Sequence, residues 1–204
     1  MIAGLTVADL ARPSEKGLAY FYDAALVVGG SILIALCAQI AIGYPVPITG
    51  QTFAVLMIAA LLGARRGALC LLTYLAEGLL GLPVFAQGKS GLAAFLGPTG
   101  GYLIGFVFAA WAVGALSERT WDRRIPTTVA AMVLGNLVIY ACGLVWLSCL
   151  IYLLAQPLRS GILAAGLYPF VLGDLLKIAL AAVLLPAGWQ IIQYFGLDRT
   201  AGVR

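Results

Sequence analysis

The sequence contains no histidine. That absence removes histidine-based catalytic triads, imidazole metal ligands and most proton relays together. Charge is almost as scarce. Twelve Lys and Arg and eight Asp and Glu make only 10% of the 204 residues, where a soluble domain carries about 25%. With 63% hydrophobic residues and a mean hydropathy of +1.04, a soluble fold is excluded and an integral membrane protein is implied. Cysteine is limited to Cys37, Cys70, Cys142 and Cys149, all inside apolar runs and without C-x-x-C spacing. They read as small buried hydrophobes, and neither a metal nor a disulfide is expected. The net charge of +4 is spread over connecting segments rather than gathered in a patch. It argues for membrane topology and against nucleic acid. No polar stretch is long enough to form a separate soluble domain.

What is present is a series of apolar runs. Residues 1–22 carry Asp9, Arg12, Glu15 and Lys16 and no long apolar core, so a cytoplasmic N-terminal segment is expected there rather than a cleavable signal peptide. Tyr20, Phe21 and Tyr22 read as an interfacial aromatic belt. The first helix is expected over about 24–42, with Ala25, Gly29, Ser31 and Ala35 as a small-residue face for close helix contact. Gly43–Thr52 holds Pro45, Pro47 and Thr49, the last a candidate cap for the next helix. Two short spans follow at about 51–63 and 67–80, divided by Arg65 and Arg66; a re-entrant loop from outside would bury both arginines in lipid. Further spans are expected at about 101–117, 126–154 and 169–189, the last opened by Pro169 and anchored by Trp189. The fold class is therefore an all-α bundle of six transmembrane helices over residues 23–190, with both termini cytoplasmic, a tail at 191–204 and a long outer loop between helices 3 and 4.

Orientation follows from counting positive charge. Arg12, Lys16, Arg65, Arg66, Arg119, Arg123, Arg124, Arg199 and Arg204 fall on the cytosolic side, against Lys89 and Arg159 outside. This is the positive-inside pattern.

Asp174 and Lys177 stand inside the last apolar run, three residues apart and so on one helix face. A charge at the centre of a bilayer costs roughly 2.5–3.5 kcal/mol on insertion scales, so such residues pair or face a cavity. Two readings remain open on residues alone: an ion pair that joins helices, or a polar ligand site. Residues 81–101 favour the second, because they are too apolar for a solvated linker and are expected to fold back onto the helices as a lid or plug. Within them, Pro83 to Gly88-Lys89-Ser90 only approximates a phosphate-binding loop, lacking its first glycine and a preceding strand. Glu77, near the outer end of helix 3, reads equally as a snorkelling residue or a contact. A carboxylate and an ammonium under an aromatic lid suit a small solute bearing N–H donors and an anionic group. A carrier built from inverted repeats would show internal repetition, which is not seen. An intramembrane enzyme would have Asp174 and Lys177 as its one plausible acid–base couple.

Pro45-Val-Pro-Ile-Thr-Gly-Gln-Thr52, Gly81-Leu-Pro-Val-Phe-Ala86, Gly97-Pro-Thr-Gly-Gly-Tyr-Leu-Ile-Gly-Phe106 and Asp174-x-x-Lys177 closely resemble the BioY family, the biotin-specific S components of energy-coupling-factor (ECF) transporters. The resemblance implies a multi-pass protein of the bacterial plasma membrane that captures biotin from outside, without a cofactor or catalysis of its own. It also implies a transmembrane coupling protein (the T component) and a pair of cytosolic ABC-type ATPases as partners. Asp174 and Lys177 would bond the ureido ring, Gln87, Lys89 or Ser90 the valerate carboxylate, and Phe85 and Phe95 would pack on the apolar part. Ala25, Gly29, Ser31 and Ala35 would face the coupling partner.

Overall fold

The structure, a computed structural model, describes residues 4–43, 46–154 and 161–196. Pro45, Arg159, Arg199 and Arg204, which enter the readings above, lie outside them. The chain is mostly helical. Helix α1 (Val7–Leu10) precedes α2 (Lys16–Gln39), and a two-residue hairpin follows, β1 (Ala41–Ile42) with β2 (Ile48–Thr49). The hairpin pairs Ala41 with Thr49 and Ile42 with Ile48, antiparallel. Then come α3 (Gln51–Leu62), α4 (Ala64–Leu79), α5 (Gly91–Phe95), α6 (Gly100–Glu118), α7 (Ile125–Leu154), α8 (Ile162–Gly166) and α9 (Tyr168–Tyr194).

Among the described residues, four stretches are long and apolar enough to cross a membrane: Lys16–Gln39, Gly100–Glu118, Ile125–Leu153 and Ile162–Tyr194. The two shorter helices, α3 and α4, turn back on each other at Gly63 and pack against α6. The Glu118 carboxylate accepts the Ala64 N–H at 2.9 Å and so caps the start of α4. The first long helix begins at Lys16 rather than near residue 24, because Tyr20 and Phe21 lie on its exposed surface instead of on a preceding loop. The last runs on to Tyr194, past the expected end. Trp189 is buried, not a lipid-facing anchor: its Nε1 donates to Asp122 and its ring lies 4.0 Å from the Arg123 guanidinium.

Helix α6 is the centre of the bundle, packed on α3, α4 and α7. Its approach to α7 is set by glycine. A Cβ at Gly101 would lie 2.1 Å from the Cβ of Trp146 and 2.5 Å from the Cys142 carbonyl oxygen, so only hydrogen fits at this crossing. Around it, Leu56, Leu71, Tyr74, Phe106, Val113 and Ile139 form one continuous core. On the outside, Leu36, Trp111, Val145, Leu172, Leu176 and Val183 are exposed. So large an apolar surface matches hydrocarbon rather than water.

One end of the bundle is closed by charge. Arg66 Nε donates to Asp23 and its Nη1 to Asp9, both at 2.8 Å, while Arg12 Nη2 donates to Asp23 at 2.8 Å. Arg123 Nη2 donates to the Leu5 carbonyl at 3.0 Å, and the Gly4 N–H bonds the Glu118 carbonyl at 3.0 Å. The N-terminal segment therefore straps the ends of α2, α4 and α6 together. Asp9 also accepts the Thr6 N–H at 2.9 Å and the Thr6 hydroxyl at 2.8 Å. Burial works to raise its carboxyl pKa, but the Thr6 N–H and the Arg66 guanidinium outweigh burial and hold it below the ordinary range. A depressed carboxyl contributes stability above its unfolded pKa and loses it as pH falls through the folded one. Asp9→Asn should accordingly cost about 1–2 kcal/mol at neutral pH, in denaturant unfolding of the detergent-solubilised chain. The gap to the unmutated chain should close below about pH 4.

Candidate functional site

At the opposite end, α3, α7, α9, the hairpin and residues 85–89 surround a cavity. Its polar wall is built on Asp174, only 4% exposed. A buried carboxylate is costly unless it accepts several hydrogen bonds, and here it does. Oδ1 accepts from Lys177 Nζ at 2.8 Å and from the Thr52 hydroxyl at 2.9 Å, and Oδ2 accepts from the Tyr140 hydroxyl. The i,i+3 spacing on α9 brings the ammonium to the carboxylate. Lys177 Nζ further donates to the Thr49 carbonyl and to Thr52 Oγ1, both at 2.8 Å. All three ammonium protons thus have acceptors within the protein. The Thr49 hydroxyl accepts the Gln51 N–H at 3.2 Å, so the short hairpin delivers Thr52 to the first turn of α3 in a fixed register.

The remaining wall is aromatic and apolar: Tyr102, Phe106, Ile139 and Phe170 from the helices, and Phe85 from the loop. Tyr102 and Phe170 meet at 6.3 Å between ring centroids, and the Tyr102 hydroxyl donates to the Gly166 carbonyl at 2.7 Å. Phe85 is inserted beside α4. It meets Tyr74 edge-on at 5.6 Å and lies directly over Gly78, where a Cβ would come within 2.2 Å of the ring. Gln51 Nε2 donates to the Tyr74 hydroxyl at 2.7 Å, and that hydroxyl donates to the Val84 carbonyl at 3.0 Å. A cavity-lining amide is thereby wired to the backbone of the turn.

Among the residues picked out in the sequence, Asp174, Lys177, Phe85 and Lys89 line the cavity, with Lys89 exposed at its mouth. The others do not. Gln87 turns away and donates to the Gly43 carbonyl at 3.2 Å. Ser90 stands at the start of α5, and Phe95 packs edge-on against Trp146 at 6.4 Å. Glu77 lies on the far side of α4, accepting the Ser31 hydroxyl at 2.9 Å. This last bond also divides the expected small-residue face of α2. Ala25 and Gly29 are exposed, Ser31 is fully buried against α4 and Ala35 is half-buried. Ala25 and Ser31 are six residues apart, which at 3.6 residues per turn places them about 120° apart around the helix. The four therefore share no single face. The sequence reading missed Tyr140, Thr52 and Gln51. Gln51 and Thr52 close the Pro45–Thr52 motif, whereas Tyr140 carries no local signal, being one of several hydroxyl side chains in a long apolar helix.

The fit of Phe85 over Gly78 can be tested without any ligand. Gly78→Ala should destabilise the chain by about 1–3 kcal/mol through overpacking. The same substitution made on top of Phe85→Ala should cost almost nothing. Thermal or denaturant unfolding of the four variants of this cycle checks it.

Comparison with known proteins bears on the same residues. The family model described as the BioY family matches residues 12–194. The biotin transporter BioY of Thermotoga maritima is 38% identical over 163 residues, covering 80% of this chain and 88% of the relative. That of Rhizobium etli is 37% identical over 161 residues, covering 75% and 83%. Among solved structures, the crystal structure of the S-component for biotin from an ECF-type ABC transporter is similar at a TM-score of 0.69 and 25% identity, over 87% of this chain and 95% of that one. The match runs from Arg12, in the charged strap, to Tyr194 at the end of α9, and encloses every residue of the cavity: this chain belongs to the BioY family.

Proposed function

We propose that the chain is the biotin-capturing membrane subunit of an ECF-type transporter, taking biotin into the cavity between α9 and residues 85–89. The observation that carries this reading is one buried carboxylate–ammonium–hydroxyl cluster in an otherwise apolar, aromatic cavity. A ureido ring presents two N–H donors and one carbonyl. Asp174 has about four acceptor positions and spends three of them on Lys177, Thr52 and Tyr140. One remains for a ligand N–H, and the Tyr140 oxygen offers another. Lys177 can turn one donor from a protein oxygen to the ligand carbonyl. The thiophane and alkyl chain would lie against Phe85, Tyr102, Phe106 and Phe170, with the carboxylate directed to the Lys89 ammonium at the mouth.

In this reading α2, α3, α4, α6, α7 and α9 are six spans with both termini in the cytoplasm of a bacterial cell. Arg12, Lys16, Arg65, Arg66, Arg119, Arg123 and Arg124 then lie on the inner side and Lys89 on the outer. The named relatives are transporters, and the function assigned here is binding without catalysis. Uphill movement is left to a T component and ABC-type ATPases, with the exposed Ala25 and Gly29 of α2 available to the coupling partner.

The test is equilibrium binding of biotin to the purified, detergent-solubilised chain. Tight one-site binding is expected. Asp174→Asn should weaken it by about 1.5–3 kcal/mol, the loss of a charge-assisted hydrogen bond. Absence of binding to the folded unmutated chain would overturn the assignment. Lys177→Met should weaken binding as well; a variant that lost only folded yield would make the pair structural.

A further inference from the structure

The turn that closes the cavity has two kinds of anchor. On the inside, Phe85 fills the slot over Gly78. On the outside, the anchors are polar and come largely from one side chain that neither lines the cavity nor stands in any motif. Gln39 is the last residue of α2. Its Oε1 accepts the Gly88 N–H at 3.0 Å, while its Nε2 donates to the Ala35 carbonyl at 3.1 Å and, less closely, to the carbonyls of Phe85 at 3.4 Å and Val84 at 3.5 Å. The turn's internal bonds, Phe85 N–H to Lys89 carbonyl at 3.0 Å and Lys89 N–H to Ala86 carbonyl at 3.4 Å, fix its shape but not its position. A second amide, Gln87, bonds the Gly43 carbonyl at 3.2 Å.

We propose that Gln39 is a positioning residue that latches the 85–89 turn over the cavity and so sets how long a bound ligand is retained. The inference rests on the binding role proposed above. Residues 85, 86 and 89 form part of the cavity wall, so a ligand passing beneath them displaces the turn from α2. Apart from the Tyr74 hydroxyl bond to the Val84 carbonyl, the side-chain bonds that break in that movement belong to the exposed amides of Gln39 and Gln87, which exchange them for water at small cost. A carboxamide suits the place because it meets an N–H and carbonyls at once; a carboxylate meets only the N–H, and an aliphatic chain neither.

The experiment measures association and dissociation of radiolabelled biotin, with the number of sites, for the unmutated chain, Gln39→Leu and Gln39→Glu in detergent. Gln39→Leu should speed dissociation about threefold to tenfold, as loss of one net hydrogen bond predicts, at an unchanged number of sites and with association no slower. Gln39→Glu should fall between it and the unmutated chain. A merely structural role would lower the number of sites and leave dissociation from the surviving ones unaltered. Dissociation within twofold of the unmutated chain in both variants overturns the latch while leaving the biotin reading intact. A ligand-free readout separates the two further. The thiol of Ala86→Cys, on the cavity wall, should be labelled by a soluble maleimide about threefold to tenfold faster when Gln39→Leu is added. An unchanged rate there overturns the latch whether or not biotin binds.

Discussion

A carboxylate removed from water has to be given donors, and in this protein the donors come from three directions. Lys177 reaches Asp174 along its own helix, Thr52 from the start of α3 and Tyr140 from the middle of α7. The Lys177 ammonium carries the same network to the Thr49 carbonyl in the hairpin. No pair of these elements can shift independently without leaving a buried polar group unpaired, at a cost of about 1–3 kcal/mol for each. The cluster is thus the joint that fixes α3, α7 and α9 around the cavity. Of the two readings that the sequence left open, the helix joint is seen in these bonds, and the ligand site proposed above would use the same groups.

That joint needs a frame that does not yield, and glycine supplies it. The close crossing of α6 on α7 at Gly101 lets Tyr102 and Phe106 reach the cavity from the same face that packs the bundle core. Association of helices in lipid gains little from the hydrophobic effect, so contact at backbone distance and satisfied polar groups take its place. The far end uses charge instead. Arg66, held between Asp9 and Asp23, draws the N-terminal strap across the helix ends where side chains are partly wet. Two opposite ends, one ionic and one built on a single buried carboxylate, leave the aromatic cavity in the half that carries the loops.

Much of this was legible in the sequence wherever the signal was local. The first-turn Pro169 and the i,i+3 pair of Asp174 and Lys177 depend on spacing alone and stand where spacing puts them, whereas the first and last apolar runs extend to Lys16 and Tyr194 and the break between the short helices falls at Gly63, with Arg65 and Arg66 already inside α4. Phe85 and Lys89 were legible as members of an apolar loop that had to fold back. What escaped depends on which way a side chain turns. Gln87, Ser90 and Phe95 share that loop yet do not line the cavity: Gln87, at a positive φ of 62°, bonds the Gly43 carbonyl, and Phe95 packs against Trp146. Ser31 and Glu77 bond each other across α2 and α4 rather than serving a partner or a ligand. Tyr140 could be found only from the need of Asp174 for a further donor, which is a tertiary argument.

The saturation of the Lys177 ammonium bears on what such a site discriminates. A ligand that only filled the aromatic part would leave the polar cluster undisturbed and gain apolar contact alone, a weak basis for selection of about 1–3 kcal/mol per missing group. A ligand that enters the cluster must replace a protein hydrogen bond with one of at least equal quality, or it pays a desolvation penalty in a place that water reaches poorly. The ureido ring of the proposed ligand, offering donors to Asp174 and an acceptor to Lys177 at once, would make that exchange without loss. In the biotin-capturing role proposed above, selection would run through the bonds that the cluster already makes to itself.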